Sequence, residues 1–503
     1  MHKKAVVIGA GIAGIAAAIR LAVKGYAVDV FEANAYPGGK LSTFQSMAPD
    51  GGFYRFDAGP SLFTMPELVD ELFWLAGRNP ADYFSYSRLE EVCRYFWNDD
   101  TQLTAWADRA KFGHEIEQML GEPASHLYRH LNDSARKYAL TEKLFLHRSL
   151  HKASTWLHRD ALAGYLNLHQ LGVFRTMNRA NQRKFRNPKL VQLFNRYATY
   201  NGSDPYQTPA TMNIIPHLEY NIGAFFPEGG MISITNSLVK LAGEIGVRFH
   251  FNTRVTQIIT HQNRVVEVTL ASLMDRVGNS YGSGPVDVIV SNMDIVGTFR
   301  KLLPNARQPE RILRQPKSSS GLIFYWGIRR QFAELGLHTI FFSDDYQKEF
   351  DAIFQQNTIP NDPTMYLNIT SKLQANDAPA GRENWFVLLN VPNNTGQNWD
   401  ALIANARQQI IQKLSHKLHT DVSSLIETET ILDPRSIESK TASTQGALYG
   451  NSSNNRFAAF LRHPNFSRQF ANLYFVGGSV HPGGGIPLCL LSAKIAVDFI
   501  AGS

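Results

Sequence analysis

The sequence predicts an α/β protein. Three observations carry that: a strand–turn–helix–strand unit at its start, alternating strand and helix patterns through its second half, and a closing strand followed by a glycine-rich turn and a helix. The opening unit is the sharpest. Residues 5–8 form an apolar, strand-like run that ends in Gly9-Ala10-Gly11-Ile12-Ala13-Gly14. Residues 15–23 read as a helix, Gly25 breaks it, residues 27–31 read as a second strand, and Glu32 closes the unit. This is a Rossmann-like pattern with its glycines and acid in order. Gly9 permits the tight turn, Gly11 lets the backbone approach a pyrophosphate, and Gly14 lets the helix pack closely on the strand. The helix N-terminus offers free N–H groups and a positive dipole end to phosphates. Glu32 would accept hydrogen bonds from an adenosine ribose, a charge-assisted interaction of roughly 1.5–3 kcal/mol. The motif alone does not separate NAD from FAD.

The residues after Glu32 do separate them. Pro37-Gly38-Gly39-Lys40-Leu41-Ser42-Thr43 follows, then Phe56-Asp57-Ala58-Gly59-Pro60. A glycine pair and a base just past the ribose acid make a second phosphate-approach loop, over which Lys40 can lie as a point charge. This run resembles the FAD-binding signature of the amine oxidase and carotenoid desaturase superfamily.

The chain has 503 residues, enough for two or more domains or one with large insertions. Its 44% apolar and 18% charged residues are those of a folded protein with a large core. Cys93 and Cys489 are its only cysteines. That pattern fits a reducing compartment and core thiols, and no metal site is expected. Lys3-Lys4 before an apolar stretch mimics a signal peptide, but the dinucleotide motif accounts for the same residues. No apolar run reaches about 18 residues, so no transmembrane helix is expected. The net charge of +7 is unevenly spread: residues 143–190 hold ten Lys or Arg, four His and a single acid, Asp160. Apolar and aromatic residues interleave there, as in a helical segment lying on an anionic membrane surface. A solvated basic face packed on a core is the alternative. No nucleic-acid recognition module is visible.

Residues 1–85, 216–300 and 466–503 are expected to form one discontinuous nucleotide-binding domain. Residues 86–215 read as mainly helical. Residues 301–465 alternate strands (322–328, 339–342, 365–370, 385–391) with a helix at 399–418. In the middle of the chain, 232–245 reads as a helix and 247–251, 255–259, 265–270 and 286–291 as strands, with a glycine- and serine-rich turn at 278–284. The chain closes with a strand at 473–476, a glycine-rich turn and a helix to about 500.

Together the blocks AVVIGAGIAGIAAAIRLA, PGGKLST, FDAGPSL, FFPEGGM, VIVSNMD and NLYFVGGSVHPGGGIPLCLLSAKIA resemble the bacterial-type phytoene desaturases, the FAD-dependent carotenoid desaturases, over nearly the whole chain. The stretch Thr199-Tyr200-Asn201-Gly202-Ser203-Asp204-Pro205-Tyr206 is most similar to the late-acting branch, the 1-hydroxycarotenoid 3,4-desaturases and related enzymes. The resemblance implies an FAD-binding domain of the amine oxidase/carotenoid desaturase type, a mixed α+β substrate domain and a helical membrane-contacting part. It implies non-covalent FAD held by Gly9, Gly11, Gly14, Glu32, Gly38, Gly39, Lys40, Gly59, Pro60, Val255, Gly478, Ser479, Gly485, Ile486 and Pro487. Ser479 stands where many members of the wider superfamily carry an acid for the ribityl chain.

The implied activity is loss of two hydrogens from a C–C bond beside a polyene, in a protein on the inner, cytoplasmic face of the cell membrane. The substrate is an apolar carotenoid, and the electron acceptor is left between oxygen and a quinone. No paired carboxylates or histidine dyad marks a catalytic base. His481 invites that role, but a histidine fixing the loop beside FAD is the simpler reading, and His217 and Glu219 read equally well as surface residues. Candidate tunnel lining includes Phe225, Phe226, Phe324, Tyr325, Trp326, Phe341 and Phe342, any of which also reads as core. The alternatives are a phytoene desaturase, a polyene saturase and, more distantly, a non-enzymatic isoprenoid carrier of the same fold.

Overall fold

Lys4–Ile8 is the central strand of a five-stranded parallel sheet. The strand order is Leu473–Phe475, Val288–Ser291, Lys4–Ile8, Ala27–Phe31, Arg248–His250. The computed structural model describes residues 3–157, 171–272, 280–454 and 462–501. Both faces of the sheet are covered, which is why its central strands, Lys4–Ile8 and Val288–Ser291, read as near-continuous apolar runs. Ala5 and Val7 point to one face and Val6 and Ile8 to the other, into separate buried clusters. The first face is closed by the helices Ile12–Val23, Ile232–Glu244 and Ile486–Ala501. Ala13, Ala16, Ala17 and Ala18 are buried there, and their small side chains let the first and last helices approach. The second face carries an antiparallel sheet of Thr253–His261, Arg264–Ser272 and Ser280–Gly282. Part of the expected turn at 278–284 lies outside the described residues.

A second, seven-stranded sheet has the order Ile426–Leu432, Ser320–Ile328, Glu383–Val391, Met365–Asn368, His338–Phe341, Glu91–Phe96, Gln102–Trp106. All neighbours are antiparallel except His338–Phe341 with Glu91–Phe96. Its far face packs on the helix Trp399–Lys417 through Ala406, Ile410 and Leu414.

The expectation of a mainly helical 86–215 needs correction at its start. Tyr86–Arg88, Glu91–Phe96 and Gln102–Trp106 are strands, and the last two belong to the seven-stranded sheet. Leu103 and Ala105 alternate with more open neighbours, a two-residue period within a short segment. Helices begin at Arg109–Leu120 and Ala124–Thr141. Of the basic stretch 143–190, residues 158–170 lie outside the described residues. Among the described residues, no helix is long and apolar enough to cross a membrane.

Candidate active site

The site begins at the first turn. Gly9 has φ +94° and donates its N–H to the Phe31 carbonyl at 2.8 Å, so the turn locks to the neighbouring strand in a conformation that suits glycine. A Cβ on Gly14 would collide with the Gly9 carbonyl oxygen, so that glycine serves helix–strand packing. Gly11 caps the helix Ile12–Val23, which has no side-chain cap and no acid in its first turn. Its N-terminal N–H groups therefore have no carboxylate of the helix's own cap or first turn to answer them, which suits an anion. The PGGK loop docks on this turn: the Gly38 N–H donates to the Ala10 carbonyl at 2.8 Å.

Glu32 is buried. One carboxylate oxygen accepts the Ala10 N–H at 2.7 Å, and the other accepts the Asn34 N–H at 2.8 Å and its side-chain amide at 2.9 Å. The acid thus holds the turn as well as facing the cavity beside it. Lys40 also lines that cavity, but its ammonium donates to the carbonyls of Leu448 at 3.0 Å and Ala447 at 3.3 Å. Burial pushes it below the usual lysine range, with Asp294 acting in the other direction.

All the residues expected to hold the cofactor line one cavity of about 1300 Å³, except Gly14. Val255 enters from the strand Thr253–His261, and Gly485, Ile486 and Pro487 from the start of the last helix. The Ser479 hydroxyl accepts the Ile295 N–H at 3.0 Å. Sequence reasoning missed Asn292 and Asp294, which line the cavity from the SNMD block, and Arg254, which lines it near Glu32's strand. The block was noted as a motif, but nothing in it marks which residue faces the site. Other motif residues are structural: Asp57 accepts the Met231 N–H at 3.0 Å, which joins the FDAGP and FFPEGGM blocks.

The far half of the cavity is floored by the seven-stranded sheet. Ile323, Tyr325, Leu388 and Phe386 line it. Of the expected tunnel residues only Tyr325 does. Phe324, Trp326 and Phe341 point to the opposite face of the sheet, and Phe225, Phe226 and Phe342 pack in other clusters. Strand alternation is the reason: neighbours in sequence face opposite ways. His481 does not line the cavity. Its Nε2 lies 2.8 Å from the Arg148 carbonyl, and its own carbonyl accepts from Asn465 at 2.7 Å, so it fixes the loop. His217 is half-buried, 2.8 Å from the Asn221 side chain. Glu219 is not a surface residue: it is buried in the cavity wall, and burial raises its carboxyl above the usual range, with the nearby Arg196 guanidinium opposing. Cys93 and Cys489 are free thiols, and burial lifts them to about 12 and about 11.

An uncapped helix N-terminus, a glycine-lined approach and a buried acid on the second strand are the donor and acceptor set of a dinucleotide site. The family described as flavin-containing amine oxidoreductase matches residues 12–501. The chain belongs to that family. A solved structure shares its fold: cyclohexylamine oxidase from Brevibacterium oxydans IH-35A superposes with a TM-score of 0.60 at 15% identity, covering 100% of this chain and 99% of that one. A 1-hydroxycarotenoid 3,4-desaturase of Flavobacterium sp. (strain P99-3) is 49% identical over 99% of both sequences. A 4,4'-diapolycopene oxygenase of Methylomonas sp. is 34% identical over 99% of this chain and 98% of that one. The protein is an FAD-dependent oxidoreductase. The residues around the cavity fit that cofactor: Gly9, Gly11, Gly38 and Gly39 and the uncapped start of Ile12–Val23 give the backbone donors a diphosphate needs, and Glu32 lines the same cavity as an acceptor.

Proposed function

We propose that this protein is an FAD-dependent carotenoid desaturase of the late-acting kind, introducing a double bond next to an existing polyene in a 1-hydroxylated carotenoid. The observation that carries the proposal is the 49% identity to a 1-hydroxycarotenoid 3,4-desaturase across 99% of both chains. The cavity supports it. At about 1300 Å³ it exceeds the roughly 300–1,000 Å³ of ordinary small-molecule pockets, so it has room for a second ligand beyond a dinucleotide. Its sheet-side wall is mainly aliphatic and aromatic, which suits a polyene that gains little by leaving lipid unless the site is as apolar as lipid.

FAD, when bound, supplies the two-electron acceptor for the hydrogens removed. The chain's own part is to hold and orient. Gly11, Gly38 and the N-terminus of Ile12–Val23 answer the diphosphate, and Glu32 the ribose. The start of Ile486–Ala501 lies on the cavity with no acid in its first turn, so its dipole favours negative charge at that end of the site. The sheet wall excludes water and lays the polyene along its row of side chains.

The same reading places the protein on the inner face of the cell membrane, where such a substrate is found. Exposed Leu157 and Phe174, at 86% and 83% accessible, flank residues 158–170 within the basic stretch and support this. Sedimentation with anionic vesicles, lost in high salt or with Leu157→Ser and Phe174→Ser together, is the expected result; no binding at low salt removes the membrane part alone.

The decisive experiment is pigment analysis in cells making phytoene, neurosporene, 1-hydroxylated acyclic carotenoids or γ-carotene. Loss of two hydrogens with a red shift on the hydroxylated or monocyclic substrate is expected. Conversion of phytoene makes the protein an early desaturase, and gain of hydrogen makes it a saturase.

A further inference from the structure

The seven-stranded sheet presents one row of cross-strand partners to the cavity: Leu432, Ile323, Leu388, Tyr366, Ile340. The others are aliphatic, and Tyr366 supplies the one hydroxyl of the row. That hydroxyl lies 2.7 Å from His338 Nδ1 and 2.8 Å from Ser61 Oγ. The direction of these bonds follows from a neighbour. The Asn368 amide nitrogen donates to the Leu337 carbonyl at 3.1 Å and stands 3.3 Å from the same His338 nitrogen. An amide nitrogen only donates, so Nδ1 is the acceptor and the ring proton is on Nε2. Tyr366 therefore donates to His338, and Ser61 donates to Tyr366. Burial holds His338 down to about 3, which keeps it a neutral acceptor across the working pH range.

The chain of donors thus runs from Ser61 through Tyr366 to His338, all three of which line the cavity. Ser61 spends its proton on Tyr366 and keeps acceptor capacity on its oxygen, and the residue lines the cavity and is half-buried. Its position is telling. Ser61 follows directly on Gly59-Pro60, and Gly59 packs so tightly on Lys40 that a Cβ would meet the Lys40 carbonyl. The acceptor therefore stands where the nucleotide half of the cavity meets the sheet half. Tyr200 lines the same cavity, its hydroxyl receiving a hydrogen bond from Arg196 at 3.3 Å and giving one to Glu219 at 3.3 Å.

We infer that Ser61, Tyr366 and His338, with Tyr200 in the same cavity wall, form an acceptor site for a hydroxyl group near the end of the polyene, and that this site sets the preference for hydroxylated over hydrocarbon carotenoids. The inference rests on the carotenoid desaturase reading above. The oxygen of a hydroxyl on carbon 1 is three bonds from carbon 3 of a bond formed between carbons 3 and 4, so its anchor must stand close to the reacting bond. The junction beside Gly59-Pro60 meets that need. A purely apolar wall discriminates weakly between a polyene and its hydroxylated analogue, whereas a site built to pair with a hydroxyl discriminates strongly.

The test uses the FAD-loaded enzyme and two carotenoids identical except for the tertiary hydroxyl, measuring the ratio of their kcat/KM values. The wild-type ratio is expected to favour the hydroxylated compound by about 100-fold or more. Tyr366→Phe and Ser61→Ala are each expected to lower the ratio about tenfold, and Ser61→Thr to restore it. Flavin absorbance confirms that each variant is folded and loaded; if Tyr366→Phe loses FAD, Ser61→Ala decides. An unchanged ratio, or equal loss on both carotenoids, overturns the inference. Failure of the wild type to convert either carotenoid overturns the proposed function instead.

Discussion

Glu32 holds the first turn, and we propose that the same carboxylate also serves the cofactor. Its oxygens already accept three N–H groups from Ala10 and Asn34, which pins the glycine-rich turn in place. Glu32→Gln swaps one acceptor for a donor that faces an N–H. FAD affinity is expected to fall by about 10–100-fold, in line with roughly 1.5–3 kcal/mol for a charge-assisted bond, as read by flavin fluorescence titration. An unchanged dissociation constant would mean that the carboxylate serves the turn alone. Gly14 is a separate case, since it touches no part of the cavity. Gly14→Ala is expected to lower stability by about 1–3 kcal/mol through the clash with the Gly9 carbonyl, and FAD loss should follow from that distortion. Thermal unfolding of the FAD-free protein separates the two effects: a purely local loss of affinity would leave its melting temperature unaltered, whereas the clash lowers it.

The strand Ser320–Ile328 explains why an apolar run cannot be read for lining residues. It is buried along its whole length, so no polar residue marks the side that meets a ligand. Tyr325 faces the cavity, while Phe324 and Trp326 face the helix Trp399–Lys417. Trp326→Ala is expected to cost about 3–5 kcal/mol in chemical denaturation and to leave the identity of the carotenoid product the same. Leu388→Trp, on the cavity face, is expected to retain FAD but to block turnover, because the added ring fills the chamber. If the Leu388 variant still turned over at the wild-type rate, the sheet wall would not be where the polyene lies.

At the scale of the whole molecule, buried histidines tie distant segments together and make stability depend on pH. The His481 ring meets the Arg148 carbonyl, and its backbone N–H donates to the His463 carbonyl at 3.0 Å. Burial holds His463 and His481 each down to about 4, against an ordinary value near 6.5. Between those values the unfolded chain binds protons that the folded chain refuses. Stability is therefore complete above about pH 6.5 and is lost as pH falls towards 4, at up to about 1.4 kcal/mol per pH unit for each histidine. Thermal unfolding from pH 7 to pH 4.5 should show a falling midpoint, reduced in slope by His481→Asn. A flat profile would remove the histidines from this role.

The first turn, the two strands around it and the closing turn and helix were all legible in the sequence, because each rests on local chemistry: glycines at fixed spacing and an apolar run. The same holds for the α/β class, since strand and helix periods repeat in the chain itself. The strands Glu91–Phe96 and Gln102–Trp106 were not legible as part of the second sheet, because their partner, His338–Phe341, is remote in sequence and pairing leaves no local mark. Nor did the sequence reveal that Lys40 would turn to the carbonyls of Ala447 and Leu448, that Glu219 would be buried in the cavity wall, or that Ser61, Tyr366 and His338 would meet. Such contacts join residues far apart along the chain. The sequence by itself determined the cofactor end of this protein, where function is written in short motifs. Only the tertiary structure decided the substrate end, where function depends on which face of a buried strand looks into the cavity.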